Sequence, residues 1–191
     1  MTRFWWVRHG PTHAKGMVGW TDLPADLSDT ARIARLTAFL PDPALVISSD
    51  LIRASATADA IENGRNRLAH DPGLREIHFG DWEMKRHSEI EAQDPQRIRA
   101  YWDQPGDVRA PGGETWNEAL ARVSAAVDRL IDTHKGADII VVAHFGAIVT
   151  QIQRALDLEP YDAFSHRIDN LSVTQITFDG IWRTGPINHI P

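Results

Sequence analysis

The sequence predicts an α/β fold: a three-layer α/β/α sandwich with a mostly parallel sheet. Three observations carry that prediction. Two runs of aromatic or aliphatic residues, Phe4-Trp5-Trp6-Val7 and Ile139-Ile140-Val141-Val142, are apolar at every position rather than at every second one, as in strands buried on both faces. Helical periodicities separate these runs and the shorter Leu45-Val46-Ile47, as crossover connections between parallel strands require. Both long runs end close to a histidine, His9 and His144. Two parallel strands would therefore deliver both imidazoles to the carboxyl edge of the sheet, where open α/β sheets hold their active sites.

The 191 residues suit a single domain, 1–191, with 42% hydrophobic and 24% charged residues, an ordinary globular balance. The net charge of −6 comes without a basic run, which argues against nucleic acid as a partner. The absence of cysteine excludes disulfides, thiolate chemistry and cysteine-held zinc. No apolar run is long enough to span a bilayer, and a strand beginning at residue 4 leaves no room for a signal peptide, so no membrane partner and a cytoplasmic location are expected. Nothing in the sequence sets an oligomeric state.

After the first strand, a loop from Thr12 to Leu27 carries Lys15, Gly16, Gly19 and Trp20. Ser28 is placed to cap a helix running to about Leu40, with Ile33, Leu36 and Leu40 on one face, and Pro41 and Pro43 stop it. Leu45-Val46-Ile47 reads as a second strand entering Ser48-Ser49. Arg53 opens a small-residue helix, Ala54 to Glu62, whose N-terminus can face an anion. Asn63-Gly64 marks a turn, and Leu68-Ala69 a third strand. His87 to Gly113 is polar and reads as short helices and loops over the site, the core of a cap over about 81–116. Thr115 or Asn117 then caps a helix whose core face is Leu120, Val123, Val127, Leu130 and Ile131. Asp138 to Ala143 is the clearest buried strand, followed by a helix from about Gly146 to Leu156. Asn170 to Phe178 and Ile181 to Thr184 form a hairpin over Asp179-Gly180, a strong turn signal, so the closing strand can be antiparallel.

The chemistry concentrates at the strand ends. Arg8 offers a rigid fork of donors matched to phosphate oxygens, His9 a neutral nitrogen nucleophile, and Gly10 close approach of the backbone. Glu76 lies in a stretch rich in Ile77, Phe79 and Trp82; apolar surroundings raise a carboxyl pKa, as a proton donor near neutral pH requires. Glu83 is the other candidate acid.

Four stretches in order, Arg8-His9-Gly10-Pro11-Thr12, Ser48 through Ala58, Leu74 through Glu83 and Val141 through Gly146, resemble the histidine phosphatase superfamily, whose fold is phosphoglycerate mutase-like. The resemblance runs from residue 4 to about 178. It implies a metal-independent phosphomonoester hydrolase without a cofactor, acting on a small phosphorylated metabolite through phosphate on His9. Arg8, Arg53 and His144, the last protonated or donating, would hold the phosphoryl oxygens. Glu76, which matches the family's acid position, would protonate the leaving oxygen. Thr12, Lys15 and Phe145 fall where substrate contacts are expected; Lys15 stands where an Asn is common and is either a point charge on the phosphate or a solvated lysine. Departures from the family pattern are Thr30 and Ile33 for Gly and Gln, Asp50 for Pro, Met84 for Gly, and Phe145 for Gly, where the ring narrows the pocket or shields it. A mutase would go with longer insertions and a longer tail, which favours hydrolysis. A non-catalytic phospho-ligand module would have signalled itself by loss of His9 or Glu76. A metal-dependent hydrolase using His9, His144 and Glu76 is opposed by the fixed cation of Arg8.

Overall fold

A computed structural model describes residues 1–191. Its strands are β1 (Thr2–Arg8), β2 (Leu45–Ser48), β3 (Asn66–Arg67), β4 (Asp138–Ala143), β5 (Val173–Phe178) and β6 (Trp182–Thr184). The longer helices are α1 (Thr30–Phe39), α2 (Ile52–Ile61), α3 (His87–Gln93), α4 (Pro95–Asp103), α5 (Trp116–Thr133) and α6 (Phe145–Leu156), followed by the single turn α7 (Pro160–Ala163). The six strands form one sheet in the order β3-β2-β4-β1-β5-β6. β1 through β4 are mutually parallel where they pair, and β5 and β6 close the sheet antiparallel.

Side-chain alternation on the central strands sorts the core into two layers. Phe4 and Trp6 of β1 and Ile139 and Val141 of β4 join the larger apolar cluster, which packs under α5 and α6. Val7, Ile140 and Val142 point the other way, onto Leu36 of α1 and Ala54, Ala58 and Ile61 of α2. The apolar runs in the sequence are thus explained by burial on both faces.

The structure moves several boundaries. Asp29, not Ser28, caps α1, its carboxylate accepting from Arg32 N at 3.0 Å. The third strand is Asn66–Arg67, two residues ahead of Leu68-Ala69; Leu68 N still donates to Val46 O at 2.8 Å. α5 opens on Thr115, whose hydroxyl accepts from Glu118 N while Glu118 accepts from Thr115 N, a reciprocal capping box. The region after Trp82 folds as α3 and α4, with Ile90, Ile98 and Tyr101 buried in the larger cluster. No helix is long and apolar enough to cross a membrane.

Candidate active site

The register of β1 on β4 sets Arg8 opposite Ala143, so the next residue of each strand, His9 and His144, stand side by side with ring centroids 5.0 Å apart. Both are buried. The chain turns away at Gly10, where a Cβ would come within 2.7 Å of Leu27 Cδ2 and 3.1 Å of Asp26 O; a side chain there would push Leu27 aside and crowd the loop backbone.

A closed ring of four hydrogen bonds fixes His9. Its Nδ1 lies 2.7 Å from Gly10 O, and a carbonyl can only accept, so Nδ1 carries the hydrogen and Nε2 the lone pair. Arg53 Nε donates to that Nε2 at 3.2 Å. Thr57 Oγ1 donates to Arg53 O at 2.7 Å and accepts from Gly10 N at 3.0 Å, which completes the circuit. Burial, then the neighbouring Arg53 and Arg8 cations, pull the His9 pKa down to about 3, against the bond to Gly10. The sign is that of a base made harder to protonate: His9 stays neutral at any pH well above 3, where free imidazole is half protonated near 6.5. In an NMR pH titration the His9 ring resonances are expected to remain flat from pH 8 to 5; a midpoint near 6.5 would contradict this site.

Arg8 Nη1 donates to Ile168 O at 2.6 Å, its Nε is buried without a partner, and its guanidinium lies 5.7 Å from the Phe145 ring centroid. Arg53 is anchored by Nη1 on Thr21 O at 2.9 Å and Nη2 on Gly19 O at 2.6 Å. Burial lowers both arginine pKa values and the Glu76 carboxylate opposes this, but a guanidinium remains charged. The acidic chain thus concentrates two fixed cations around one neutral imidazole. A cleft of about 150 Å³ opens there, lined by Arg8, His9, Thr12, Ala14, Gly16, Val18, Arg53 and Glu76.

Two carboxylates contended for the acid role, and their surroundings separate them. Glu76 is buried and accepts only from Ile77 N at 2.9 Å and Gly146 N at 3.1 Å. Burial raises its pKa, more than these bonds and the Arg53 and Arg8 charges lower it. Gly146 is shaped to this carboxylate, since a Cβ there would lie 2.4 Å from Glu76 Oε1. Glu83 is a structural clasp. It accepts from the backbone of Gly19, Trp20, Thr21 and Phe79 and from the Thr21 hydroxyl. Burial pushes its pKa up, but these donors outweigh it and the net shift is downward.

Not every expected contact reaches the cleft. Thr12 lines it. Lys15 is exposed, and the neighbouring Ala14 and Gly16, not Lys15, form the wall. Phe145 covers Arg8 from the start of α6 rather than lining the cavity. Asp50 turns aside onto Arg75, which donates Nε at 2.7 Å and stacks over Trp20 at 4.7 Å. Met84 holds a left-handed φ of +64°, a conformation that glycine, the residue expected here from the family pattern, adopts without strain. Residues the sequence reading left without a role are Ser49, Thr57 and Asn170, whose Nδ2 donates to His9 O at 2.8 Å. The two hydroxyls lie inside a quoted motif, but Asn170 had no local signal.

The largest cavity, about 440 Å³, lies near the opposite ends of β2, β3 and β4 between Asp42, Leu45, Arg65 and Asp138. Two of its charged groups are already committed, Arg65 to backbone carbonyls and Asp138 to Arg3 and Trp5. It holds no histidine and no uncommitted cation, so the smaller polar cleft is the candidate site.

The chain is similar to several known proteins. The chain is 29% identical to Bifunctional protein Rv2228c of Mycobacterium tuberculosis over 94% of its own length and 51% of that protein, so it spans about half the length of the first curated relatives it matches. It is 28% identical to the adenosylcobalamin/alpha-ribazole phosphatase of Salmonella typhimurium, covering 87% of this chain and 86% of the relative. The solved structure of Bacillus stearothermophilus YhfR superposes with a TM-score of 0.91 at 29% identity, over 100% of this chain and 98% of the other. The sequence profile of the histidine phosphatase superfamily (branch 1) matches residues 4–183, and the chain belongs to that family.

Proposed function

We propose that this chain is a phosphomonoester hydrolase that passes the phosphoryl group of a small metabolite through His9 Nε2. The observation that carries the reading is the neutral, buried His9 with its lone pair on Nε2, flanked by two anchored arginines at the floor of one small cleft. Family membership and the relative named for alpha-ribazole phosphate support it. The cap over 81–116 and the sheet domain share one apolar core, which supports a single domain.

In the first step the Nε2 lone pair forms a bond to phosphorus while the bond to the leaving oxygen breaks, and Glu76 gives that oxygen its proton. The Nε–H of Arg53 exchanges Nε2 for a phosphoryl oxygen, while its Nη groups keep their carbonyl partners. Arg8 supplies its unpartnered Nε–H. In the second step water attacks phosphorus, Glu76 takes the water proton, and the phosphorus–nitrogen bond returns its electrons to Nε2. Most of the catalysis is positioning and neutralisation of charge spread over the equatorial oxygens. The arginines provide that neutralisation without a metal.

The test is inhibition and chelation on a panel of phosphomonoesters. Turnover is expected to survive exhaustive chelation and to be blocked by vanadate, which adopts the five-coordinate geometry of the transition state over Nε2. Loss of activity in chelator, restored by a divalent metal, would overturn the reading.

A further inference from the structure

Ser49 and His144 are fully buried just beyond or at the ends of β2 and β4, two adjacent parallel strands. Ser49 Oγ lies 2.7 Å from His144 Nε2, and Leu51 N donates to the same oxygen at 3.2 Å. These two are the partners of that hydroxyl, which has one proton and two lone pairs. Leu51 occupies one lone pair. Were Nε2 protonated, the serine would accept twice and its own proton would have no acceptor; Nδ1 lacks a protein partner with either tautomer, so the hydroxyl proton decides. With the lone pair on Nε2, the hydroxyl proton is satisfied and Nδ1 carries the hydrogen. Unpaired buried polar groups are costly, so the accounting selects the second arrangement.

Nδ1 of His144 is buried and has no partner in the protein. His144 stands at the cap position of α6, yet its side chain makes no capping bond. We propose that Ser49 is a positioning residue that locks neutral His144 in its Nδ1–H form, so that this N–H donates to an oxygen of the phosphoryl group bound to His9. The donation rests on the phosphohistidine reading above; the tautomer does not. The arrangement also removes any need for a third cation. Burial, then His9 and the nearby arginines, hold His144 well below the ordinary histidine pKa, and a neutral ring with a fixed N–H donates all the same.

The experiment is a two-bond proton–nitrogen correlation spectrum of the full chain labelled with ¹⁵N-histidine, at neutral pH, paired with single-turnover phosphorylation by an alkyl phosphate. The wild type is expected to show a pyrrole-like Nδ1 and a pyridine-like Nε2 for His144, a result that needs no variant. In Ser49→Ala the His144 shifts should move toward the other tautomer, and phosphorylation of His9 should slow by roughly 10- to 100-fold, by analogy with the loss when a group orienting a metal-ligating histidine is removed. Ser49→Cys, with a weak donor of similar size, should recover part of both. A pyridine-like Nδ1 in the wild type, or unchanged shifts and rate in Ser49→Ala, overturns the proposal. The expected shifts with no phosphoenzyme in the wild type would overturn the donation and the phosphohistidine reading together, leaving the tautomer assignment standing.

Discussion

His9→Ala is expected to abolish hydrolysis of alkyl phosphates, with residual turnover at least several orders of magnitude below wild type. Removing a covalent nucleophile from an enzyme that depends on one costs up to about 10⁶-fold in the best-measured case. No neighbour can take over. His144 is fully buried with Nε2 held on Ser49, and Ser49 and Thr57 have their protons committed to other groups. The arginines remain anchored by Ile168, Gly19 and Thr21 in the variant, so phosphate and vanadate should still bind. That combination, binding kept and turnover lost, distinguishes a missing nucleophile from a collapsed site. Phosphate release within tenfold of wild type would mean that the nucleophile lies elsewhere.

Glu76→Gln is expected to slow phosphorylation of His9 by roughly 10²–10⁴-fold with alkyl phosphates, the usual worth of general acid catalysis, and far less with nitrophenyl phosphate. An alkoxide needs its proton as the bond breaks, whereas a nitrophenolate leaves without one. The substitution is not silent structurally. Both Glu76 oxygens accept backbone N–H groups, from Ile77 and Gly146, and an amide can satisfy only one of them through its oxygen. The contrast between leaving groups is therefore the informative quantity, because a structural defect slows both substrates alike. Single-turnover rates are needed, since Glu76 also assists the hydrolysis step common to all substrates. Equal slowing would remove the acid role, and the same contrast in Glu83→Gln would transfer it. The five donors on Glu83 argue against transfer, and Glu83→Gln should instead loosen the loop at Gly19–Thr21.

The sheet and most of the candidate site were legible because they follow from local patterns. Continuous apolar runs mark strands covered on both faces, and β1 and β4 are both of that kind; the histidines after them then meet by topology alone. The capping pair Thr115 and Glu118 and the Asp179-Gly180 turn are equally local. What escaped depends on partners distant in sequence. β3 is a polar two-residue edge held by β2, without a periodicity to detect. Glu83 looked like an acid until its donors, all but Phe79 more than 60 residues earlier, were in view. Asp50 departed from the family pattern with a carboxylate, and only the fold shows Arg75 paired with it. Lys15 carried the right charge at the expected place, but the loop points it to solvent.

The central claim is that phosphate is carried on His9 Nε2, and rapid-quench trapping during turnover of a ³²P-labelled phosphomonoester tests it most directly. The expected result is label on the denatured chain in less than one equivalent per site, labile in acid and stable in base as a phosphoramidate is, mapped by mass spectrometry to the peptide containing His9 and absent from His9→Ala. Turnover with no label trapped at any quench time, or an acid-stable label on a serine, threonine or carboxylate, would contradict it.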